Sequence, residues 1–112
     1  MNDKEPEELA LTEAERTLVL TGVDETLALE RQEFCGGIPV RCDFCRCRFT
    51  ERTLYVDGRL RRHPAWASMC ADCAQREGAG IGWGMGQLYR RRPDGKWLLV
   101  AGFRPEDRKG SG

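Results

Sequence analysis

Two cysteine pairs, Cys42-x-x-Cys45 and Cys70-x-x-Cys73, stand 24 residues apart and constrain this chain more than any other feature. A two-residue spacer lets one tight turn aim two sulfurs at a single point. Two such turns complete the four tetrahedral ligands that a zinc ion takes from thiolates at about 2.3 Å. The expectation is one structural Zn2+ held by Cys42, Cys45, Cys70 and Cys73, with metal binding contributing folding free energy because the unfolded chain has no formed site. In a chain of 112 residues with 40% hydrophobic content, such a staple is in keeping with a modest core.

The alternative use of six cysteines is a disulfide framework, which needs an oxidising compartment. The stretch MNDKEPEELALTEAER is acidic and lacks the basic start and apolar core of a signal peptide. The longest apolar run, 97–103, contains Gly102 and falls far short of the roughly 20 residues that span a bilayer. A cytoplasmic chain without membrane contact is therefore expected, in which reduced thiols favour metal. Cys35 and Cys47 are left over and read as reduced thiols, although Cys47 is near enough to Cys45 to exchange in as a ligand. His63, the single histidine, reads as a turn residue.

Secondary-structure signals place the pairs. Thr12-x-x-Glu15 is a capping box for a helix with Leu11, Ala14 and Leu18 on one face, ending near Gly22; Asp24 caps a second helix. The Cys35-Gly36-Gly37 run with Pro39 marks a hinge into the cysteine-rich body. Between the pairs, residues 53–56 and 59–61 flank Asp57-Gly58, a dipeptide suited to a tight hairpin turn, with Pro64 and Trp66 ending the ribbon. Residues 71–77 suit a short helix stopped by Gly78. A second hairpin is expected from 87–91 and 96–100 around Pro93-Asp94-Gly95. Phe44, Phe49, Tyr55, Trp66 and Met69 are the candidate core around the metal. The fold class is thus a small zinc-stabilised α+β domain, either a treble-clef-like finger or a zinc ribbon. Its expected divisions are an acidic, partly helical segment at 1–33, the zinc-binding domain at 34–104 and a frayed tail at 105–112.

Charge divides along the same line. Residues 1–33 carry ten acids and three bases, and residues 34–112 carry fifteen bases and eight acids, so a net charge of zero is the sum of −7 and +7. Such asymmetry implies separate partners for the two parts, or an acidic segment that covers a basic body. Arg46, Arg48, Arg52, Arg59, Arg61 and Arg62 surround the first pair and hairpin, and Arg90, Arg91 and Arg92 precede the second turn. Arginine forks match phosphate oxygens, and Tyr55, Trp66, Trp83 or Tyr89 are candidates to stack on unpaired bases, so DNA or RNA is the expected partner. The competing expectation is a protein–protein adaptor that docks through the acidic helices or through Gly78, Gly80, Gly82, Gly84 and Gly86. As a strand, that glycine ladder would be bare on one face; as a loop, it would be tightly packed.

Catalysis is not expected. An all-cysteine shell leaves no open position for water. HNH-type nucleases, which share paired-cysteine knuckles, need histidines and an asparagine beyond His63 and Asn2, and no Ser-His-Asp set can be assembled.

CDFC, TLYVDGR, HPAWASMCADC and GIGWGMGQLYRRRPDGKWLLVAG together span 42–102. In these stretches the chain resembles small tetra-cysteine zinc-finger proteins of phages, plasmids and other bacterial mobile elements. The resemblance implies a zinc-binding module in a bacterial cell but brings no activity with it; an accessory or regulatory role for a mobile element is the expectation that joins it to the arginine surface. Some of these proteins carry a histidine after the second cysteine pair, where this chain has Ala74.

Overall fold

A computed structural model describes residues 12–35, 40–49 and 52–105. The first eight residues, the glycine hinge at 36–37 and the end of the C-terminal tail lie outside the described residues. The elements run α1 (Glu13–Gly22), α2 (Glu25–Arg31), β1 (Leu54–Arg59), β2 (Trp66–Met69), α3 (Ala71–Glu77), β3 (Gly86–Arg91) and β4 (Trp97–Ala101).

Local chemistry sets the helix starts as expected. Thr12 and Glu15 form a reciprocal capping box on α1: Thr12 Oγ1 accepts from the Glu15 N–H and Glu15 Oε1 accepts from the Thr12 N–H. The carboxylate of Asp24 accepts from the Leu27 N–H to cap α2. That helix ends on Gln32 in the left-handed region, whose N–H donates to the Ala28 carbonyl.

The four strands form one antiparallel sheet in the order β2-β1-β3-β4. Residues directly opposite across a ladder share a face. Val56, Met69 and Leu88 therefore lie on one side, and Tyr55 and Tyr89 on the other. The first face packs under the helices: Ala14 and Leu18 of α1 and Ala71 and Ala74 of α3 are buried in the same cluster, and Ala28 of α2 joins it against β4. On the second face Phe49, Tyr55 and Trp97 form an aromatic group with ring centroids 5.0–6.4 Å apart, and Tyr89 stacks on Tyr55 at 5.2 Å. Phe49, Tyr55 and Met69 are core residues, as expected, whereas Phe44 and Trp66 are exposed.

Two sequence expectations are overturned. β1 runs straight through Asp57-Gly58, and Trp66, expected to end the ribbon, opens β2 opposite Arg59; residues 60–65 make the connection. Gly58 serves a close approach instead of a turn. A Cβ there would stand 3.0 Å from both the Gly86 Cα and the Met85 carbonyl oxygen. Of the two readings of the glycine ladder, the loop holds. Gly80, Gly82 and Gly84 have positive φ, and paired hydrogen bonds between Gly82 and Gly86 close a turn over 82–86. The second hairpin, by contrast, falls where the Pro93-Asp94-Gly95 turn places it.

The loop is tightest at its end. A Cβ on Gly86 would collide with the Gly80 carbonyl oxygen, whereas one on Gly84 meets nothing within 4 Å and is opposed only by its φ of 88°. Gly86→Ala should therefore lower unfolding free energy by more than about 2 kcal/mol and Gly84→Ala by about 1 kcal/mol, as read by urea denaturation of the metal-loaded protein. Equal costs at the two positions would contradict this packing.

Candidate metal centre

The first cysteine pair sits on a knuckle built by short-range hydrogen bonds. Arg41 bridges Arg48, the Cys42 N–H donates to the Cys47 carbonyl at 2.9 Å, and the Arg46 N–H donates to the Cys42 carbonyl at 3.1 Å. Arg46 closes this turn with φ 69°, a left-handed conformation that costs an L-residue about 1–2 kcal/mol. The guanidinium of Arg41 donates to the Arg46 carbonyl and braces the same turn.

Asp43 fastens the knuckle to the sheet. Its N–H donates to the Ser68 carbonyl, and its carboxylate accepts from the Ser68 N–H, both at 2.8 Å. Ser68 lies in β2, two residues before Cys70, so this clamp carries Cys42 and Cys45 to the second pair. Cys70 is the N-cap residue of α3 and Cys73 lies in its first turn.

The Sγ atoms of Cys42, Cys45, Cys70 and Cys73 all lie within 4.8 Å of one another, and those of Cys45 and Cys70 are 3.7 Å apart. A tetrahedral shell with metal–sulfur bonds of about 2.3 Å holds its sulfurs about 3.8 Å apart. A disulfide would need about 2.05 Å. The donor set therefore fits a shared thiophilic cation.

Polar hydrogens already point at the sulfurs. The N–H groups of Phe44 and Cys70 lie 3.4 Å from Cys42 Sγ, and the Arg76 guanidinium lies 3.3 Å from Cys73 Sγ. These donors compensate the negative charge that four thiolates accumulate. Burial pushes the Cys70 and Cys73 thiols up, so these need a cation to ionise. The Cys47 backbone N–H, helped by neighbouring thiols and opposed by burial, draws the exposed Cys45 thiol down to about 6.

Of the spare groups, Cys47 is in side-chain contact with Cys45, and its thiol is held up at about 12, first by burial and then by that contact. Cys35 lies elsewhere, with its Sγ 2.7 Å from the Tyr55 hydroxyl. His63 is exposed in the β1–β2 connection and stands outside the cluster. Asp43 and Arg76 are the contributors that sequence reasoning missed. Arg76 was accessible from its i+3 spacing to Cys73 on a helix; Asp43 acts across 25 residues and leaves no local signal.

The arginines divide into two groups. Arg61 donates to the Gln75 and Gly78 carbonyls, and Arg91 to the Arg52 carbonyl. Arg90 pairs bidentately with Glu25 of α2, with Nη2–Oε1 at 2.7 Å, and holds the Glu25 carboxyl below the usual carboxylate range. Arg92 faces Asp94 and the Phe34 ring. Arg52 is partly buried beside Cys47. Arg46, Arg48, Arg59 and Arg62 are exposed, and their side chains have no hydrogen bond or ion pair among the described residues.

Comparison of the chain with protein-family models, with curated proteins and with solved structures finds no match. The chemistry is therefore read from the cluster itself: four convergent thiols, three of them buried, can hold one metal ion.

Replacing any one of Cys42, Cys45, Cys70 and Cys73 with serine should lower bound metal well below about one ion per chain by elemental analysis, and chelation should unfold the wild type. Cys35→Ser and Cys47→Ser should retain about one ion; loss of metal in either would redraw the shell. Arg46→Gly should leave the thermal midpoint unchanged or raise it, while Arg46→Val should lower stability by about 1–2 kcal/mol, because a β-branched residue is a poorer fit to a left-handed turn.

Proposed function

We propose that this protein is a structural-zinc binding module that contacts DNA or RNA through its arginine-rich surface, serving as an accessory or regulatory factor of a bacterial mobile element. The ion is Zn2+, since four thiolates converging at tetrahedral spacing are the donor set that ion prefers. Its role is structural, because four sulfurs fill the shell and leave no position for substrate or water. The order of parts favours a treble-clef-like arrangement over a zinc ribbon: a first knuckle, the β1–β2 hairpin, then a second pair that opens α3.

The observation that carries the nucleic-acid reading is the set of four exposed arginines whose side chains have no partner among the described residues. Arg46 and Arg48 project from the metal knuckle and Arg59 and Arg62 from the end of the hairpin, so holding the metal also positions the cations. Within the acidic N-terminal segment, Glu25 neutralises Arg90.

In a mobility-shift assay at low salt, the zinc-loaded protein should bind nucleic acid and the chelated protein should not. Affinity should fall steeply with salt, with a log–log slope of about −0.7 to −0.9 for each phosphate contacted. Arg46→Ala and Arg59→Ala should each reduce that slope by about one contact. An absence of any shift at low salt would leave the arginines as a solvated surface.

A further inference from the structure

On the nucleic-acid reading above, we propose that the end of the sheet around Trp66, Trp83 and Arg59 is a stacking platform for the unpaired bases of a single strand. Arg59 ends β1. Trp66 lies directly opposite it in β2, so the two side chains share a face. On the other side of Arg59 its N–H donates to the Met85 carbonyl at 2.7 Å and its carbonyl accepts from the Ala79 N–H at 2.8 Å. The glycine loop is thereby tied to the β3 side of β1, beyond the Gly58–Gly86 pair, and carries Trp83 in its turn. Two strand spacings, about 10 Å, separate the backbone at Trp66 from that at Met85.

Both indoles are displayed. Trp66 and Trp83 are each 53% exposed, whereas the third tryptophan, Trp97, is 3% exposed in the aromatic core. Tyr55, an alternative stacking residue by sequence, is buried, and Tyr89 is stacked upon it. The chain segments that carry the indoles are basic. Segments 58–66 and 78–86 contain Arg59, Arg61, Arg62 and His63 and no acid. Along the strand these acid-free segments end at Asp57, where burial, and then Asp43, push the carboxyl above the usual carboxylate range.

Two flat indoles with interleaved arginines match the repeating unit of a single strand: a base with a free π-face every step and a phosphate beside it. A duplex offers only base edges in its grooves, because its π-faces are already stacked on one another. Glycines between the indoles remove the side chains that would hold the sugar–phosphate chain away from the loop backbone.

The test measures anisotropy of labelled 12-nucleotide single-stranded DNA, single-stranded RNA and a 12-base-pair duplex against the zinc-loaded full chain at low salt. Single strands of either sugar should bind at least about tenfold more tightly than duplex. Trp66→Ala and Trp83→Ala should each weaken single-strand binding by about 5- to 100-fold, the range for a lost base–aromatic stack, with little change for duplex. Trp66→Phe should restore most of the affinity, separating stacking from folding, and bound zinc in each variant reports that the fold is intact. Equal binding of duplex and single strand, or unchanged single-strand affinity in both alanine variants, overturns the platform while leaving nucleic-acid binding in place. No binding to any of the three polymers defeats the parent reading as well. A wild-type dimer in sedimentation that both alanine variants abolish assigns the indoles to self-association and also overturns the platform.

Discussion

Four thiols drawn from two turns, one beside the β2 edge and one at the start of α3, meet in a space that suits a single cation. Cys42 and Cys73 are fully buried and Cys70 almost so, an arrangement that is unfavourable for thiolates without a positive charge at their centre. Structural zinc in small domains supplies on the order of 10–16 kcal/mol of apparent binding free energy. Whole domains are stable by only about 5–15 kcal/mol. A cation bound with that free energy would dominate everything else in this fold. The first knuckle otherwise holds to β2 through the reciprocal Asp43–Ser68 pair and the local bonds of its own turn.

The rest of the molecule is arranged to present those thiols. The sheet buries residues on both faces, aliphatic side chains beneath α1 and α3 and aromatic rings around Tyr55, so β1 and β2 are held from two sides. β2 then delivers Met69 to the core and Cys70 to the thiol cluster in consecutive positions. Glu15 adds a longer link: within the capping box of α1, its second carboxylate oxygen accepts from the Thr53 N–H at 3.4 Å and joins the helix to the chain entering β1.

Charge follows the same economy. The acidic N-terminal half and the basic remainder meet at Glu25 and Arg90, so part of the asymmetry is resolved within the chain. Backbone carbonyls occupy Arg61 and Arg91. Arg46, Arg48, Arg59 and Arg62 stay exposed at the knuckle and the hairpin end. A count of arginines overstates the cationic surface, because a guanidinium that satisfies carbonyls is committed to the fold's own hydrogen bonds.

Features governed by a few neighbouring residues were legible in the sequence: the Cys-x-x-Cys spacing, the Thr12–Glu15 box, the Asp24 cap, the α3 helix stopped by Gly78 and the Pro93-Asp94-Gly95 hairpin. Each depends on contacts within about one turn of chain, where residue type and spacing are the whole of the physics. Asp57-Gly58 misled, and the glycine ladder left strand and loop open, because their glycines answer to distant backbone: Gly58 and Gly86 are small where β1, β3 and the loop crowd together. Only the tertiary structure decided which strands pair, which arginines remain unpartnered, that Asp43 holds the knuckle and that Trp66 and Trp83 stay exposed while Tyr55 is buried. Those outcomes depend on contacts between residues far apart in the chain, and local pattern carries no record of which remote group will arrive.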